Sequence, residues 1–254
     1  MARPIFRSCL LLWFLPLTLA AEDVAAPIQD LIAKVRPSIA TIRVSGRDGD
    51  ALGMGTGFVI EPDGLIATNF HVITEGRSFT VEMSSGRTLP VLSIEASDRD
   101  ADLALVRVDV NDKPLPALKL AGASAAKQGL RVLAFGNPLG LRDSVVQGIV
   151  SAVREVDGRQ MIQLAMPIER GNSGGPLVDH RGRVHGIINM KSAIDQNLGF
   201  AIPIDQLQPL RSKPNPVAID RWVLLGRINE EKWSPIFGAR WQLRGGVISA
   251  RGMG

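Results

Sequence analysis

Short apolar runs, broken by glycine, Asp-Gly and proline, make up most of the chain between residue 37 and about residue 204. Runs of this length between turn signals are typical of β-strands. No long helical pattern falls between them, which argues against strand–helix–strand units and a parallel sheet. The runs form two groups, so we expect an all-β fold of two six-stranded antiparallel β-barrels. The predicted strands are 39–44, 57–60, 65–68, 78–82, 88–94 and 103–108 in the first group, and 131–135, 145–153, 161–164, 184–188 and 199–202 in the second.

Helical periodicity is clearest just before the first strand. In residues 26–36, apolar residues recur on one helical face, and Pro37 ends the pattern. We therefore expect a short N-terminal helix. Residues 111–125, rich in proline and alanine, are the predicted connection between the two barrels.

The N-terminus has the pattern of a secretory signal sequence. Arg3 and Arg7 give it a positive start, residues 9–20 form a continuous apolar run, and small residues precede Ala21. The run is too short to span a bilayer comfortably, so we expect cleavage after residue 20. The expected product is a secreted, periplasmic protein without stable membrane insertion. An uncleaved membrane anchor is the alternative that this pattern leaves open.

The sequence changes in character again after Gln208. Residues 212–216 resemble a linker, and three of the four tryptophans follow, at Trp222, Trp233 and Trp241. We expect these side chains to pack locally against the main domain rather than to form a ligand site. The predicted division is a signal sequence at 1–20, a main domain at 21–211 and a tail at 212–254.

Composition narrows the range of functions. Hydrophobic residues make up 45% of the chain, enough for a sizeable core, and the 21% of charged residues argue against wholesale disorder. The one cysteine, Cys9, lies in the predicted signal sequence, so the secreted chain would depend on its core rather than on disulfides. Removing Arg3 and Arg7 lowers the formal net charge from +4 to +2, and the other basic residues are scattered. We therefore expect no nucleic-acid partner.

A glycine-rich motif at 171–176, Gly-Asn-Ser-Gly-Gly-Pro, points to chemistry. Glycines around Ser173 allow a tight turn that exposes the hydroxyl, and Gly171 allows backbone N–H groups to face an oxyanion. An ordinary glycine-rich turn is the alternative reading. A nucleophile elbow of the α/β-hydrolase kind is disfavoured, because Gly-Gly-Pro after the serine is a poor start for a helix.

A serine nucleophile needs a base, and the chain has three histidines. His71 follows an apolar strand, which itself comes after the glycine-rich strand around residues 53–58, so His71 is the candidate base. His180 and His185 flank an Arg-Gly turn, and we expect both of them to face solvent.

The base in turn needs a carboxylate to hold its tautomer. Asp98, Asp100 and Asp102 all follow His71, and Asp102 directly precedes a predicted strand that fixes its position. We expect the other two only to solvate the loop. The order His71, Asp102, Ser173 is that of chymotrypsin-like enzymes and differs from that of subtilisins and α/β-hydrolases.

Several segments together resemble the HtrA/Deg family of trypsin-like serine proteases. The matching pieces are GTGFVI, DGLIATNFHV, DADLALVRV, FGNPLGL, GNSGGPL and LGFAIP, within residues 27–207. The resemblance implies the chymotrypsin fold, with His71 as general base, Asp102 as its orienting partner and Ser173 as nucleophile. It also implies an oxyanion hole formed by the N–H groups of Gly171 and Ser173. We expect no metal and no cofactor.

Three departures from the family pattern bear on activity. Glu169-Arg170 stands where the family usually has Asn-Pro, which frees the backbone and adds charges beside the oxyanion hole. Residues 164–167 replace a more polar family pattern. The tail at 212–254 is too short for the PDZ domain that the family typically carries, so we expect none in it.

The same resemblance implies where the pocket for the residue before the cut lies. It would be walled by the segment before Ser173 and by two later strands. Pro167 stands six residues before Ser173, where a carboxylate would select basic residues, and Glu169 is expected at the rim. We therefore predict a broad preference for small or aliphatic residues. The candidate substrate-binding residues are Pro167, Glu169, Arg170, Ile188, Asn189, Met190, Gly199, Phe200 and Ala201.

These expectations favour a serine endopeptidase that cleaves unfolded or damaged proteins and peptides. A protease-like binding or chaperone module with little or no turnover is the main alternative, motivated by Glu169-Arg170 and the expected lack of a PDZ domain. An esterase with the same triad also stays open. Family members often form homotrimers through N-terminal segments, so a homotrimer is a further expectation. This N-terminal segment lacks the aromatic residues that such a contact would use.

Overall fold

The computed structural model describes residues 27–46, 51–74, 78–137, 144–156, 158–169, 171–191, 198–225, 240–244 and 247–251. The predicted signal sequence, Arg170 and Trp233 lie outside these residues. Within the described segments, no helix combines the length and the apolar character needed to cross a bilayer.

The elements of the first half of the chain match the predicted strands closely. They are α1 (Ile28–Val35), β1 (Ile39–Ser45), β2 (Ala51–Glu61), β3 (Leu65–Thr68), α2 (Phe70–Thr74), β4 (Ser78–Met83), β5 (Thr88–Leu89), β6 (Val91–Asp98) and β7 (Leu103–Val108).

The second half continues with strands and ends in short helices and a hairpin. Its elements are β8 (Lys119–Leu120), β9 (Arg131–Gly136), β10 (Ser144–Val156), β11 (Arg159–Ala165), β12 (Pro176–Asp179), β13 (Arg183–Lys191), β14 (Leu198–Pro203), α3 (Gln208–Ser212), β15 (Val217–Ala218), α4 (Ile219–Leu225), β16 (Arg240–Arg244) and β17 (Val247–Arg251).

Two mainly antiparallel sheets carry the fold. The first has the order β15-β6-β7-β3-β2-β1-β4-β5, and the second has the order β12-β9-β10-β11-β14-β13-β8. Because β12 also pairs with β13, the second sheet closes into a barrel. The all-β prediction of two packed sheets is confirmed, with one difference: among the described strands, the first sheet is a half-barrel whose edges are β5 and β15.

Burial along the strands explains why they read differently in sequence. Strand β4 alternates between exposed and buried residues, as expected where one face of a strand meets solvent. Strand β3 is buried at every position, and β7 at all but one, so both are almost continuously apolar. Strand β3, buried along its whole length, thus leads directly into the segment that carries His71.

A shared hydrophobic core joins the two sheets and α1. It includes Phe58 and Leu105 from the first sheet, Phe135 and Val178 from the second, and Leu31 from the helix. Each sheet also has its own buried cluster. The junction between the sheets is thus packed with apolar side chains, and the candidate catalytic residues lie at its edge.

Candidate active site

A short, charge-assisted hydrogen bond joins His71 to Asp102. His71 lies in the one-turn helix α2, and its Nδ1 is 2.7 Å from Asp102 Oδ2. The backbone N–H of His71 also donates to Asp102 Oδ1 at 2.9 Å. Because a carboxylate can only accept, the proton of the neutral imidazole lies on Nδ1. The lone pair on Nε2 is therefore available to accept a proton.

Asp102 adopts an unusual backbone conformation that lets it face α2 with both its main chain and its side chain. Its φ is +53°, in the left-handed region that aspartate tolerates better than most residues. Its carbonyl accepts hydrogen bonds from the Asn69 side-chain amide at 2.9 Å and from the Phe70 backbone N–H at 3.1 Å. Four donors from residues 69–71 thus fix Asp102 against the helix.

The preceding turn is held by Asp98, whose carboxylate accepts a hydrogen bond from the Ala101 backbone N–H at 2.9 Å. The sequence had led us to expect that Asp98 only solvates the loop. Asp98 is instead partly buried and holds this turn. Asp100 is exposed, in line with that expectation.

Asn189 contacts both Asp102 and Ser173. The β13–β14 pairing shifts register between Ile188 and Met190, which is the signature of a β-bulge at Asn189. Its side-chain amide donates to Asp102 Oδ2 at 2.7 Å, and its backbone carbonyl accepts the Ser173 hydroxyl at 2.8 Å. We had expected Asn189 in the substrate pocket; its side chain instead supports the carboxylate.

The Ser173 loop fits closely against the first sheet. Gly174 has φ +83°, and a Cβ placed on it would lie 2.0 Å from the Thr56 carbonyl oxygen, so only glycine fits there. The Ser173 hydroxyl points to the Asn189 carbonyl. Within the described residues, Ser173 and His71 share no hydrogen bond.

The two N–H groups expected to form an oxyanion hole have no hydrogen-bond partner within the described part of the chain. Gly171 has φ +98° and turns its carbonyl towards the Thr56 hydroxyl, which donates to it at 2.6 Å. No described residue therefore occupies either N–H group, as the predicted oxyanion hole requires. Neighbouring Glu169 is exposed and accepts the Asn172 N–H at its carbonyl.

Thr56 connects the histidine strand to the serine loop. Its N–H donates to the Ser173 carbonyl at 2.8 Å, and its hydroxyl donates to Gly171. Its own carbonyl accepts the Thr68 hydroxyl at 2.7 Å. Thr56 lies in the glycine-rich strand noted in the sequence, but nothing in its type or spacing distinguished it from the neighbouring residues.

The other candidate substrate-binding residues differ widely in burial. Pro167 is exposed, and Phe200 is partly buried. Ile188 and Ala201 are fully enclosed in the barrel core, so their side chains do not line an open pocket in this structure. Gly199 packs so closely on Ile168 that a Cβ there would lie 2.2 Å from it. Met190 belongs to β13, but its side chain, like Arg170, lies outside the described part.

His185 is buried, contrary to the expectation that it faces solvent. It is 3% exposed, and its Nε2 is 3.0 Å from Asp179 Oδ2. Asp179 also accepts from the Arg183 side chain and from two backbone N–H groups, those of Arg181 and Arg183. Burial alone would raise the pKa of Asp179, but these hydrogen bonds, that of His185 foremost, lower it to about 2. His180 is exposed, as expected.

A cavity of about 330 Å³ lies between the first sheet and α3. Charged residues Glu61, Glu95, Arg107 and Arg211 contribute to its lining, and no member of the His71–Asp102–Ser173 set does. Among the described residues, no group of three or more His, Cys, Asp or Glu side chains is arranged to hold a metal ion.

Comparison with known proteins places this site in a family context. Residues 55–187 match the family described as a trypsin-like peptidase domain. The chain is 35% identical to the mitochondrial serine protease HTRA2 of Bos taurus, over 71% of this chain and 42% of that protein. It is also 35% identical to the putative serine protease HhoA of Synechocystis sp., over 66% of this chain and 45% of that protein.

A solved structure shows the same fold. The serine endoprotease from Yersinia pestis superposes with a TM-score of 0.66 at 29% identity, covering 75% of this chain and 67% of that chain. The chain spans less than half the length of the two relatives named above.

Proposed function

The chain belongs to the trypsin-like peptidase family, among its HtrA-type serine proteases, and from that premise we propose that it is an endopeptidase using Ser173, His71 and Asp102. The observation that carries the proposal is the 2.7 Å hydrogen bond between His71 Nδ1 and Asp102 Oδ2. It leaves Nε2 free to serve as the base for the glycine-flanked Ser173. Asp102 then stabilises the imidazolium that forms when the base takes a proton.

The reaction is acyl transfer in two steps. The Ser173 oxygen attacks the peptide carbonyl while His71 Nε2 takes the hydroxyl proton, and His71 then gives that proton to the departing amine. In the second step, a water loses a proton to His71 and attacks the acyl-enzyme. The acid product leaves, and the proton returns to Ser173.

One local movement would make the site ready for this chemistry. The Ser173 hydroxyl must leave the Asn189 carbonyl, which a rotation about its side-chain bond allows, and turn towards His71. The negative oxygen of the tetrahedral intermediate would be held by the Gly171 and Ser173 N–H groups. Such donors contribute about 100- to 1,000-fold to the rate.

Substrate class follows from the chemistry around the site. We propose unfolded or damaged proteins and peptides as substrates, with cleavage after small or aliphatic residues. Pro167 and Gly199 add no charge near the serine, and the one acid in this segment, Glu169, is exposed. Profiling the cut sites in a denatured protein mixture tests the preference: a majority of cuts after Lys or Arg would contradict it.

Secretion to the periplasm and a homotrimer remain expectations from the sequence, to be tested by fractionation and by the native mass.

The triad itself is tested by substitution. Ser173→Ala should abolish hydrolysis of denatured casein while leaving the unfolding midpoint unchanged. Asp102→Asn should lower kcat about 10,000-fold, because the imidazole then adopts the wrong tautomer. Asp98→Asn is the matched control, since the amide oxygen can still accept the Ala101 N–H. Full activity in Ser173→Ala would overturn the proposal.

A binding or chaperone module with little turnover is the second candidate. It is favoured by the Ser173 hydroxyl, which is bonded to Asn189 and not to His71. A fluorophosphonate probe separates the two functions, because it reacts only with an activated serine. Labelling that depends on both Ser173 and His71 supports the peptidase, and an unlabelled protein that still suppresses aggregation of an unfolded client supports the module.

A further inference from the structure

The segment after α3 crosses the edge of the first sheet and ends beside the candidate catalytic helix. We call residues 215–222 the C-terminal strap. The Asn215 N–H donates to the Glu95 carbonyl at 2.9 Å, and β15 pairs antiparallel with β6. The strap thus extends the sheet that carries His71, and it lies outside residues 55–187, the part matched by the peptidase family.

Trp222 is the point where the strap enters the core. Its side chain belongs to the buried cluster of the first sheet, and the residue is only 6% exposed. The indole lies edge-to-face against the Phe70 ring, with centroids 6.3 Å apart and an interplanar angle of 89°. This is a favourable aromatic geometry, which stabilises a pair beyond the burial of its surface.

Phe70 directly precedes His71, so this contact bears on the catalytic pair. The Phe70 N–H donates to the Asp102 carbonyl, and the next N–H, that of His71, donates to the Asp102 carboxylate. A displacement of Phe70 would therefore change the position of His71 relative to Asp102. The chain of contacts runs from Trp222 through the Phe70 ring and backbone to the hydrogen bonds of Asp102.

Helix α2 cannot hold this arrangement by itself. It has five residues, and isolated helices of that length are unstable in water, so its position depends on packing. Val72 and Ile73 anchor it in the core of the sheet. His71 itself is half-exposed, and Phe70, partly buried at the start of the helix, is covered by Trp222. The strap thus supports the end of α2 that contacts Asp102.

We propose that Trp222 is a positioning residue for the His71–Asp102 pair, acting through the Phe70 ring. The catalytic consequence rests on the proposed function, whereas the positioning itself does not. The C-terminal strap would then be part of the structure that positions His71 and Asp102.

The test compares four single substitutions in the full chain. Trp222→Ala should lower kcat about tenfold with little change in KM, because a small misplacement of the base slows the chemical step. It should also shift the acid limb of the plot of kcat/KM against pH, because the His71–Asp102 hydrogen bond is weakened. Trp222→Phe should keep most of the wild-type kcat, because it retains an aromatic ring that can contact Phe70. Trp222→Leu repeats the truncation with more apolar volume in case the alanine variant does not fold.

Leu210→Ala is the matched control. Leu210 is also buried and lies in the same C-terminal region, but it belongs to the core between the sheets and not to the Trp222 cluster. It should lower the unfolding temperature and leave kcat and the pH profile unchanged at temperatures where the protein stays folded. Equal kcat and an equal acid limb in the Trp222 and Leu210 variants would overturn the proposal.

An NMR measurement separates this proposal from the assignment of activity. A proton shared between His71 Nδ1 and Asp102 gives a signal at low field, which can be observed whether or not the protein hydrolyses peptides. Loss or displacement of this signal in Trp222→Leu, with its retention in Leu210→Ala, supports the positioning role. An unchanged signal in both variants contradicts it. Failure of the proposed function appears separately, as a wild-type protein without hydrolysis.

Discussion

Asn189 and His71 donate hydrogen bonds to the same oxygen of Asp102, at 2.7 Å each. The carboxylate is therefore held from two sides, by the helix of the first sheet and by the bulged strand of the second. Asn189 thus supports the candidate triad, and its backbone carbonyl also holds the Ser173 hydroxyl.

We predict that Asn189→Ala lowers kcat about tenfold, because a hydrogen bond to a charged group contributes about 1.5–3 kcal/mol and solvent replaces part of it. Asn189→Asp should be worse at neutral pH, since a second carboxylate next to Asp102 repels it and favours protonation of one of the two. Steady-state kinetics of both variants decide the point. Activity of Asn189→Asp equal to that of the wild type would show that the amide has no such role.

Thr56 offers a second test of coupling between the sheets. Thr56→Val keeps the shape of the side chain but removes the hydroxyl that donates to the Gly171 carbonyl at 2.6 Å. We expect a loss of about 1–3 kcal/mol in stability, because Gly171 loses a buried donor. We also expect a fall in kcat, because Gly171, a member of the proposed oxyanion hole, becomes less well fixed.

Thr56→Ser is the control for this substitution. It retains the hydroxyl and should keep kcat close to that of the wild type. If the valine and serine variants show the same kcat, the hydroxyl does not influence the serine loop. Chemical denaturation of both proteins measures the accompanying change in stability.

Gly174 should tolerate no side chain. A Cβ would lie 2.0 Å from the Thr56 carbonyl oxygen and 2.3 Å from the Thr68 hydroxyl, and the φ of +83° adds backbone strain. Gly174→Ala should therefore destabilise the fold by about 1–3 kcal/mol and greatly slow fluorophosphonate labelling of Ser173. Gly86→Ala, also at positive φ but with open space around the Cβ, is the matched control for strain alone. Normal labelling in Gly174→Ala would contradict the tight fit described above.

Most of the longer strands and the order of the candidate triad could be predicted from the sequence, because both depend on local patterns, whereas the four-residue strand β12 was missed. Glycine-flanked Ser173 and strand-end Asp102 have signatures within a few residues of themselves. The role of Asn189 had no such signature, since it follows from a register shift between two strands. The contact between Trp222 and Phe70 was equally hidden, because the partners lie far apart in the chain.

His185 shows a different limit of sequence-based reasoning. A histidine next to an Arg-Gly turn is usually exposed, and we placed it there. Strand β13, however, pairs with β12 on one side and with β14 on the other, and its residues 184–189 are all buried. A polar side chain is tolerated there because Asp179 accepts its hydrogen bond. That partner lies on the neighbouring strand.

The Asp179 network predicts a particular dependence of stability on pH. The pKa of Asp179 is lowered from 3.8 to about 2 in the folded protein, so folding favours its ionised form. The resulting stabilisation is fully present above the unfolded pKa of 3.8 and is lost as the pH falls towards 2. Asp179→Asn should therefore be less stable than the wild type at neutral pH, by about 1–3 kcal/mol, because Arg183 and His185 lose a charged partner.

The difference in unfolding free energy between wild type and Asp179→Asn should narrow as the pH falls from 4 to 2. Urea denaturation at several pH values measures it directly. Asp205→Asn is the control, since Asp205 is exposed and its replacement should change stability little at any of these pH values. A wild-type advantage over Asp179→Asn that stays constant from pH 7 down to 2 would mean that the carboxylate stabilises the barrel by its shape and hydrogen-bond acceptors alone. A narrowing difference means that its ionised form is what holds Arg183 and His185 in place.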